Sequence, residues 1–426
     1  MLRNSFKNPA PVETQQEDSA PLQTIHRQKM WWLFAITCLI QATGGSEELS
    51  RRRRDVNPEV HMNVSELICY RGYPSERYEV LTDDGYYLTI NRIPFGRKNL
   101  TVRGPKPVVL LQHGILAEAS FWVKNMANNS FGFILADAGY DVWLGNSRGT
   151  SWSQRNKNFS ADQDEFWDFS FHEMAIYDLP AMINFILKKT GQKQLYYVGY
   201  SQGATIGFIA FSVLPELSQK VKMFFALAPV VSLQHATSPW LKLTSIFPDY
   251  SSKSTLVRGE FVLSRKPARD FIRKLCRVSF MQKLCVNLMF TLAGGFNATN
   301  LNMSRADVYT AQYPDSTSSK TLLHWKQMKD SGLFRYFDYG NKNGARYNQS
   351  VPPSYKIEDM NVPTAVWSGG NDLIASPGNT AILLPRISNL VYYKNISYWN
   401  HWDFIWGLNA PKLVYCKIME WMGKSL

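Results

Sequence analysis

The sequence predicts an α/β protein with a mostly parallel central sheet covered by helices on both faces. Short apolar runs alternate with longer helical stretches between about residues 107 and 230, and these runs are apolar at nearly every position. Such strands, separated by helices, are typical of parallel sheets with two buried faces. The chain has 426 residues and an aromatic share of 14%, which is enough for a large core.

The elements follow in order along the chain. A hairpin is predicted first, because two β-rich runs flank the Asp84-Gly85 turn. Buried strands are expected at 107–112, 140–144, 195–198 and 221–227, with helices at 169–189 and 202–213. The alternation stops after about Val230, and strands return at 364–367 and 390–393. We therefore expect a core made of residues 76–230 and 361–426, with a mainly helical cap, residues 231–360, inserted between its parts.

The N-terminal region has the pattern of an export signal. Basic residues at 26–29 precede the apolar run 30–42, and small residues follow it. Residues 1–45 are therefore predicted to be a signal peptide with an extended N-terminal region, with a true start at Met1 or Met30. Residues 46–75 are predicted to be a basic linker and N-terminal segment. The expected destination is the secretory pathway, either outside the cell or in the lysosomal lumen.

Glycosylation signals agree with export. The candidate acceptors in Asn-x-Ser/Thr are Asn63, Asn99, Asn128, Asn158, Asn297, Asn302, Asn348 and Asn395. No C-x-x-C pair or complete H-E-x-x-H helix occurs, since the residue that follows His172-Glu173 at the required spacing is Ile176. We therefore expect no metal site and no cofactor.

The net charge of +13 is concentrated in one segment. Residues 253–283 hold nine basic and two acidic side chains. A local basic surface is favoured over nucleic-acid binding, because no zinc-finger or RNA-recognition signature accompanies the charge.

The pentapeptide Gly199-Tyr200-Ser201-Gln202-Gly203 has the G-x-S-x-G pattern. It follows a predicted strand and precedes a predicted helix, which is the setting of a nucleophile elbow. Glycines are needed there because the turn is sharp and brings strand and helix close together. Ser201 is therefore the candidate nucleophile.

A serine hydroxyl needs a base, and the base needs an orienting carboxylate. His401 follows the last predicted strand, whereas His235 and His324 lie in the predicted cap. Asp372 follows the strand that ends near Trp367 and is favoured as the acid; Asp403 is the alternative. The amide of Gln202 and an amide in the loop after Gln112 are expected to bind the oxyanion, and the His113 side chain is expected to be structural.

Longer motifs carry a family resemblance. They are Gly72-Tyr-Pro-Ser-Glu76, Leu111-Gln-His-Gly114, Ala136-Asp-Ala-Gly-Tyr-Asp-Val-Trp143, Gly145-Asn-Ser-Arg148 and Asp403-Phe-Ile-Trp-Gly407. From about Asn57 to the C-terminus the sequence resembles the acid lipase family. The resemblance implies an α/β-hydrolase fold with a cap and lid, and hydrolysis of neutral lipid esters. It also implies a Ser201, Asp372 and His401 triad, with Ile115 and Gln202 as oxyanion donors.

The sequence departs from the family pattern at two places. Tyr200 stands where the family commonly has His, and Ile374-Ala-Ser-Pro377 differs slightly from the usual motif. Neither departure removes a catalytic group.

The lid is expected within a basic amphipathic segment, residues 269–288. Its apolar positions recur at helical spacing and are Phe271, Leu275, Val278, Met281, Leu284 and Leu288; its basic positions are Arg269, Arg273 and Arg277. In solution we expect this apolar stripe to be buried over the site. Cys276 and Cys285 are expected to form a disulfide, which requires a break in the helix, since an unbroken helix would separate them by about 13 Å.

The predicted function is lipid ester hydrolysis through an acyl-enzyme. The expected partner is a droplet, micelle or membrane surface that the lid contacts, and the protein is expected to be a monomer. A carboxylesterase for soluble short-chain esters and a catalytically silent lipid-binding protein are the alternatives. The intact Ser201, Asp372 and His401 argue against the silent protein, and the basic amphipathic segment argues against the soluble esterase.

Overall fold

A computed structural model describes residues 57–97, 104–239, 241, 259–261, 264–276, 284–285, 287–291, 294–295 and 297–424. Residues 1–56, which include the predicted signal and most of the basic linker, lie outside the described residues. No helix in these described ranges is long and apolar enough to cross a bilayer.

One mixed, mostly parallel sheet organises the described residues, and this confirms the predicted fold class. The strands are β1 (Glu76–Leu81), β2 (Tyr86–Ile93), β3 (Val108–Gln112), β4 (Asp141–Gly145), β5 (Arg155–Asn156), β6 (Leu195–Tyr200), β7 (Val221–Leu227), β8 (Thr364–Gly369) and β9 (Leu390–Ile396). Their order is β1-β2-β4-β3-β6-β7-β8-β9, and β5 pairs with β2. The β1–β2 hairpin and β2–β4 are antiparallel, whereas the pairs from β4 to β9 are parallel.

Helices connect the strands, and two more described helices follow the last strand. They are α1 (Val64–Tyr70), α2 (Phe131–Asp137), α3 (Phe171–Glu173), α4 (Leu179–Thr190), α5 (Gln202–Val213), α6 (Pro215–Ser218), α7 (Lys266–Cys276), α8 (Ala306–Thr310), α9 (Ser319–Ser331), α10 (Asn343–Tyr347), α11 (Pro377–Leu383), α12 (Asp403–Trp406) and α13 (Cys416–Lys424). A π-helical turn, Met174–Asp178, joins α3 to α4, and another, Pro411–Tyr415, precedes α13. Short 3₁₀ turns lie at Pro58–His61, Ala119–Trp122, Asp164–Trp167, Ala298–Asn300, Met303–Arg305, Gly340–Lys342, Ile357–Asp359 and Leu384–Arg386.

The central strands form the middle of the core. Every residue of β3, β4 and β6 is buried, as expected for strands covered on both faces. The edge strand β9 alternates between partly buried and exposed residues along most of its length. The apolar runs in the sequence therefore correspond to the strands with the least contact with water.

The parallel strands place several loops at one edge of the sheet. The loops after β3, β6, β8 and β9 all leave from strand carboxyl ends, and in parallel neighbours these ends lie on the same side. Between β7 and β8 the described residues add helices α7–α10 but no strand to this sheet. The cap boundaries 231 and 360 stay a prediction.

Candidate active site

Ser201 lies at a sharp turn between β6 and α5. Its backbone has φ +55° and ψ −119°, a region that a residue with a Cβ rarely occupies. Its amide donates to the carbonyl of Leu227 at the end of β7, at 2.9 Å. The sheet and the helix thus hold the serine in a strained conformation that costs on the order of 1–3 kcal/mol.

The two glycines beside Ser201 make this turn sterically possible. A Cβ on Gly199 would lie 2.6 Å from the carbonyl oxygen of Gly203. A Cβ on Gly203 would lie 2.4 Å from the carbonyl oxygen of Gln112 at the end of β3. Any side chain at either position would push the helix away from the sheet and displace the serine.

His401 joins Ser201 to Asp372. Its Nε2 lies 2.9 Å from the Ser201 hydroxyl oxygen, and its Nδ1 lies 2.7 Å from a carboxylate oxygen of Asp372. A carboxylate can only accept, so Nδ1 carries the proton and Nε2 is free to accept the proton of the serine. All three residues are buried.

The carboxylate of Asp372 is fixed by its own loop. Its second oxygen accepts from the amides of Ile374 and Ala375, both at 2.9 Å. These bonds fix the carboxylate so that its other oxygen faces His401. The departure from the family motif at residues 374–377 therefore leaves this backbone contact intact.

Asp403, the alternative acid, contacts different groups. It accepts from the amide of Asn400 at 2.6 Å and from the side-chain amide of Asn300 at 2.7 Å. Burial raises the pKa of this carboxyl to about 6. Its hydrogen bonds fasten the histidine loop to the segment that precedes α8, instead of orienting the imidazole.

The two candidate oxyanion donors lie at adjoining backbone turns. Gln202 is the first residue of α5, so its amide points from the positive end of a helix. Ile115 follows Gly114, where an added Cβ would lie only 3.0 Å from the Cβ of Ser201. Neither amide donates a hydrogen bond to another described residue. Both are therefore available to a ligand oxygen.

His113 has a structural environment. It is buried, its Nδ1 lies 2.8 Å from the carbonyl of Gly114, and its Nε2 accepts from the amide of Ser147. Burial lowers the pKa of this imidazole to about 4, so it stays neutral. The side chain braces the oxyanion loop.

Two contacts from the region between β7 and β8 reach the site, and sequence reasoning missed both. The indole of Trp325 on α9 donates to the side-chain oxygen of Gln202 at 2.9 Å. The carbonyl of Gly294 accepts from the amides of His401 and Leu373, at 3.3 and 3.4 Å. No local pattern marks either residue, because both contacts depend on how this region packs on the sheet.

The apolar stripe differs from expectation. Phe271, Leu284 and Leu288 are 67%, 56% and 55% exposed, so the expected burial is wrong for these three side chains. Val278, Met281 and Arg277, and the side chains of Arg269, Arg273 and Leu275, lie outside the described residues.

The cysteines fall into two groups. Cys69 and Cys416 are exposed free thiols, and Cys285 is disulfide-bonded. The side chain of Cys276 lies outside the described residues, so its pairing with Cys285 stays a prediction.

Most glycosylation candidates reach the surface. The exposed ones are Asn128, Asn158, Asn348 and Asn395, and the partly buried ones are Asn63, Asn297 and Asn302. Asn99 lies outside the described residues.

Similarity to known proteins is strong over nearly the whole chain. Residues 107–408 match the family model of the alpha/beta hydrolase fold, and residues 64–126 match that of a partial alpha/beta-hydrolase lipase region. The lysosomal acid lipase/cholesteryl ester hydrolase of Homo sapiens is 54% identical over 402 residues, covering 93% of this chain and 99% of that protein.

Two further relatives have different names. Lipase member M of Mus musculus is 52% identical over 402 residues, covering 94% of each chain. The gastric triacylglycerol lipase of Mus musculus is 47% identical over 396 residues, covering 92% of this chain and all of that protein. Given these identities and coverages, the chain belongs to the acid lipase family of α/β hydrolases.

Proposed function

We propose that this protein is a lipase that hydrolyses carboxylic esters of neutral lipids through an acyl-enzyme. The observation that carries the proposal is the hydrogen-bonded line from the Ser201 hydroxyl through His401 to Asp372. A serine becomes nucleophilic when an oriented imidazole can take its proton. Triacylglycerols and cholesteryl esters are the proposed substrates, because relatives about half identical to this chain bear the names of enzymes that act on them.

In the first half-reaction, the Ser201 oxygen attacks the ester carbonyl carbon while His401 Nε2 accepts its proton. The carbonyl oxygen becomes an oxyanion, which the amides of Ile115 and Gln202 stabilise. When the tetrahedral intermediate collapses, the C–O bond breaks and the His401 imidazolium gives its proton to the leaving alcohol. Asp372 keeps the imidazole oriented and stabilises its charge.

In the second half-reaction, water replaces the alcohol. His401 takes a proton from water, the resulting hydroxide attacks the acyl carbon, and the imidazolium returns the proton to the Ser201 oxygen as the fatty acid leaves. The cycle consumes one water and needs no further reactant.

The proposed partner is a lipid surface, bound through the basic amphipathic segment. The exposed side chains of Phe271, Leu284 and Leu288 support this, because apolar surface left in water costs about 25 cal/mol per Å². Insertion into a droplet, micelle or membrane would remove that cost, and the basic residues would meet anionic headgroups. A Cys276–Cys285 disulfide within this segment, a monomeric state, and passage to the lysosomal lumen or the exterior complete the proposal.

The deciding experiment compares emulsified trioleoylglycerol and cholesteryl oleate with soluble p-nitrophenyl butyrate, each at pH 4.5 and 7.5. We expect hydrolysis of a long-chain ester to rise once it forms droplets, and Ser201→Ala to lack activity on every substrate. Activity on the soluble ester alone would support the carboxylesterase alternative. Lipid binding without any turnover would support the silent protein.

A triple change of Phe271, Leu284 and Leu288 to Ser tests the lipid contact. We expect it to lower the rate on emulsions about tenfold or more and to leave the soluble ester unaffected, since about 1.5 kcal/mol or more of apolar transfer is lost. Leu81→Ser, at a 41% exposed position on the edge strand β1, is the matched control. Equal rates on emulsions for the triple variant and this control would contradict the proposed contact.

A further inference from the structure

Tyr200, the last residue of β6, lies against two parts of the site. Its side chain is 2% exposed, and its hydroxyl donates to the backbone carbonyl of His401 at 3.1 Å. Its ring lies 5.0 Å from the imidazole of His401, centroid to centroid. The same ring adjoins Gly114, where an added Cβ would lie 3.3 Å from it.

These contacts place one side chain between the loop of the base and the loop of the oxyanion donor. Tyr200 directly precedes Ser201. Its backbone is fixed because it pairs with Leu227 of β7 and because the preceding residues of β6 also pair with β3. The hydrogen bond to the His401 carbonyl therefore ties the loop that follows β9 to a central strand of the sheet. A shift of that carbonyl would move the imidazole relative to both Ser201 and Asp372.

The chemistry of the phenol suits this task. Burial, together with the nearby carboxylates of Asp372 and Asp403 and the phenols of Tyr313 and Tyr415, holds the pKa of Tyr200 well above its usual value. The hydroxyl thus remains a neutral hydrogen-bond donor. It can hold the loop without competing for the proton that the reaction moves.

We propose that Tyr200 is a positioning residue, which holds His401 at the distances from Ser201 and Asp372 that proton transfer requires. This inference rests on the proposed function, because it concerns the same reaction at the same site. It assigns a role to the second residue of the pentapeptide through the contacts of its own side chain. Tyr200 touches no reacting atom, so it acts on the reaction only through His401.

The test uses Tyr200→Phe, which removes one hydroxyl and keeps the ring. Its matched control is Tyr196→Phe, because Tyr196 also lies on β6, is buried, and donates to a backbone carbonyl, that of Met422 at 2.7 Å. Both variants lose one buried hydrogen bond of the same kind, but only Tyr200 adjoins the site. The full chain is assayed on p-nitrophenyl butyrate, and titration with a fluorophosphonate counts the competent sites in each sample.

We expect kcat per competent site to fall about tenfold in Tyr200→Phe, with KM unchanged, because small displacements of a catalytic group are costly. The acidic midpoint of the kcat/KM profile should move to lower pH, since a looser contact with Asp372 stabilises the imidazolium less. Tyr196→Phe should match the wild type in both respects while losing similar thermal stability. Equal kcat and equal midpoints in the two variants would overturn the inference, as would a change confined to KM. Absence of Ser201-dependent esterase activity in the wild type would instead overturn the proposed function.

Discussion

Two serine–histidine pairs lie in different parts of this molecule. At the carboxyl end of the central strand β6, the hydroxyl of Ser201 lies 2.9 Å from Nε2 of His401. Where α3 meets α9, Ser170 lies 3.0 Å from Nδ1 of His324. The two contacts are nearly equal in length, yet only the first has the surroundings that the proposed reaction requires.

The groups beyond each pair account for the difference. The far nitrogen of His401 faces the carboxylate of Asp372, which can stabilise an imidazolium. The far nitrogen of His324 faces the backbone carbonyl of Arg335, and burial lowers the pKa of this imidazole to about 3. His324 therefore remains neutral at both pH 4.5 and pH 7.5, so it cannot act as a base that holds the proton of a serine.

The two serines also differ in backbone and surroundings. Ser201 is at φ +55° beside two amides that have no described partner. Ser170 has an extended backbone and caps α3, because it accepts from the amide of His172. Ser170 and His324 are completely buried, whereas Ser201 and His401 are each 4% exposed. A serine–histidine contact thus indicates catalysis only together with an orienting carboxylate and oxyanion donors.

The largest expected effect separates the two serines. Ser201→Ala should lower kcat by roughly 10⁵-fold or more, because the nucleophile is lost. Ser170→Ala should keep kcat within about twofold and lower the free energy of unfolding by about 1 kcal/mol, the usual cost of a lost helix cap. Ester hydrolysis and urea unfolding of both variants measure this. A large loss of kcat in Ser170→Ala would contradict the assignment of Ser170 as a structural residue.

The next effect separates the two carboxylates near His401. Asp372→Asn should lower kcat about 10⁴-fold, because an amide at this position favours the wrong tautomer of the imidazole. Asp403→Asn should keep kcat within about tenfold, since its bonds to Asn300 and Asn400 only fasten the loop. Initial rates on p-nitrophenyl butyrate give both values. If Asp403→Asn were the more damaging change, Asp372 would not be the orienting acid.

The smallest expected effect is the pH dependence that His324 gives to the free energy of unfolding. The pKa of His324 is about 3 in the folded protein and about 6.5 in the unfolded chain, so the unfolded state binds more protons. This histidine therefore contributes stability above pH 6.5 that is lost as the pH falls towards 3. Between pH 6.5 and 5 the loss should be about 1.5 kcal/mol.

Urea unfolding of His324→Phe at both pH values tests this assignment. Between pH 6.5 and 5, the free energy of unfolding should fall less in the variant than in the wild type. The difference should be about 1.5 kcal/mol, the loss expected from one histidine. An equal pH dependence in the two proteins would show that His324 does not titrate on unfolding. His172, whose pKa is also lowered by burial, acts in the same direction and remains in both proteins.

The sequence was most informative where structure is local. The apolar runs of β3, β6 and β7 predicted buried strands, because no other short element hides such residues on both faces. The elbow was predictable because a tight turn needs Gly199 and Gly203 in the chain itself. Ser201, Asp372 and His401 could then be proposed together because they follow β6, β8 and β9 in the chain order expected for this fold.

Contacts made by the region between β7 and β8 were not predictable. The bonds of Trp325 to Gln202 and of Gly294 to His401 join residues more than 100 positions apart, and neither leaves a periodic signal. Helical spacing predicted that Phe271, Leu284 and Leu288 belong to one apolar stripe, and all three side chains are exposed. It could not say whether they face the protein or the solvent, because amphipathicity shows that a face needs covering but not what covers it.

The chain order of the site has a consequence for biosynthesis. His401 follows Ser201 by 200 residues, and β9, the strand before it, is the last strand of the sheet along the chain. A growing chain, or one that ends early, therefore carries the serine without its base, and a serine without a base is a weak nucleophile. The proposed triad is therefore complete only after the part of the core that follows Asp372 has been made and has folded.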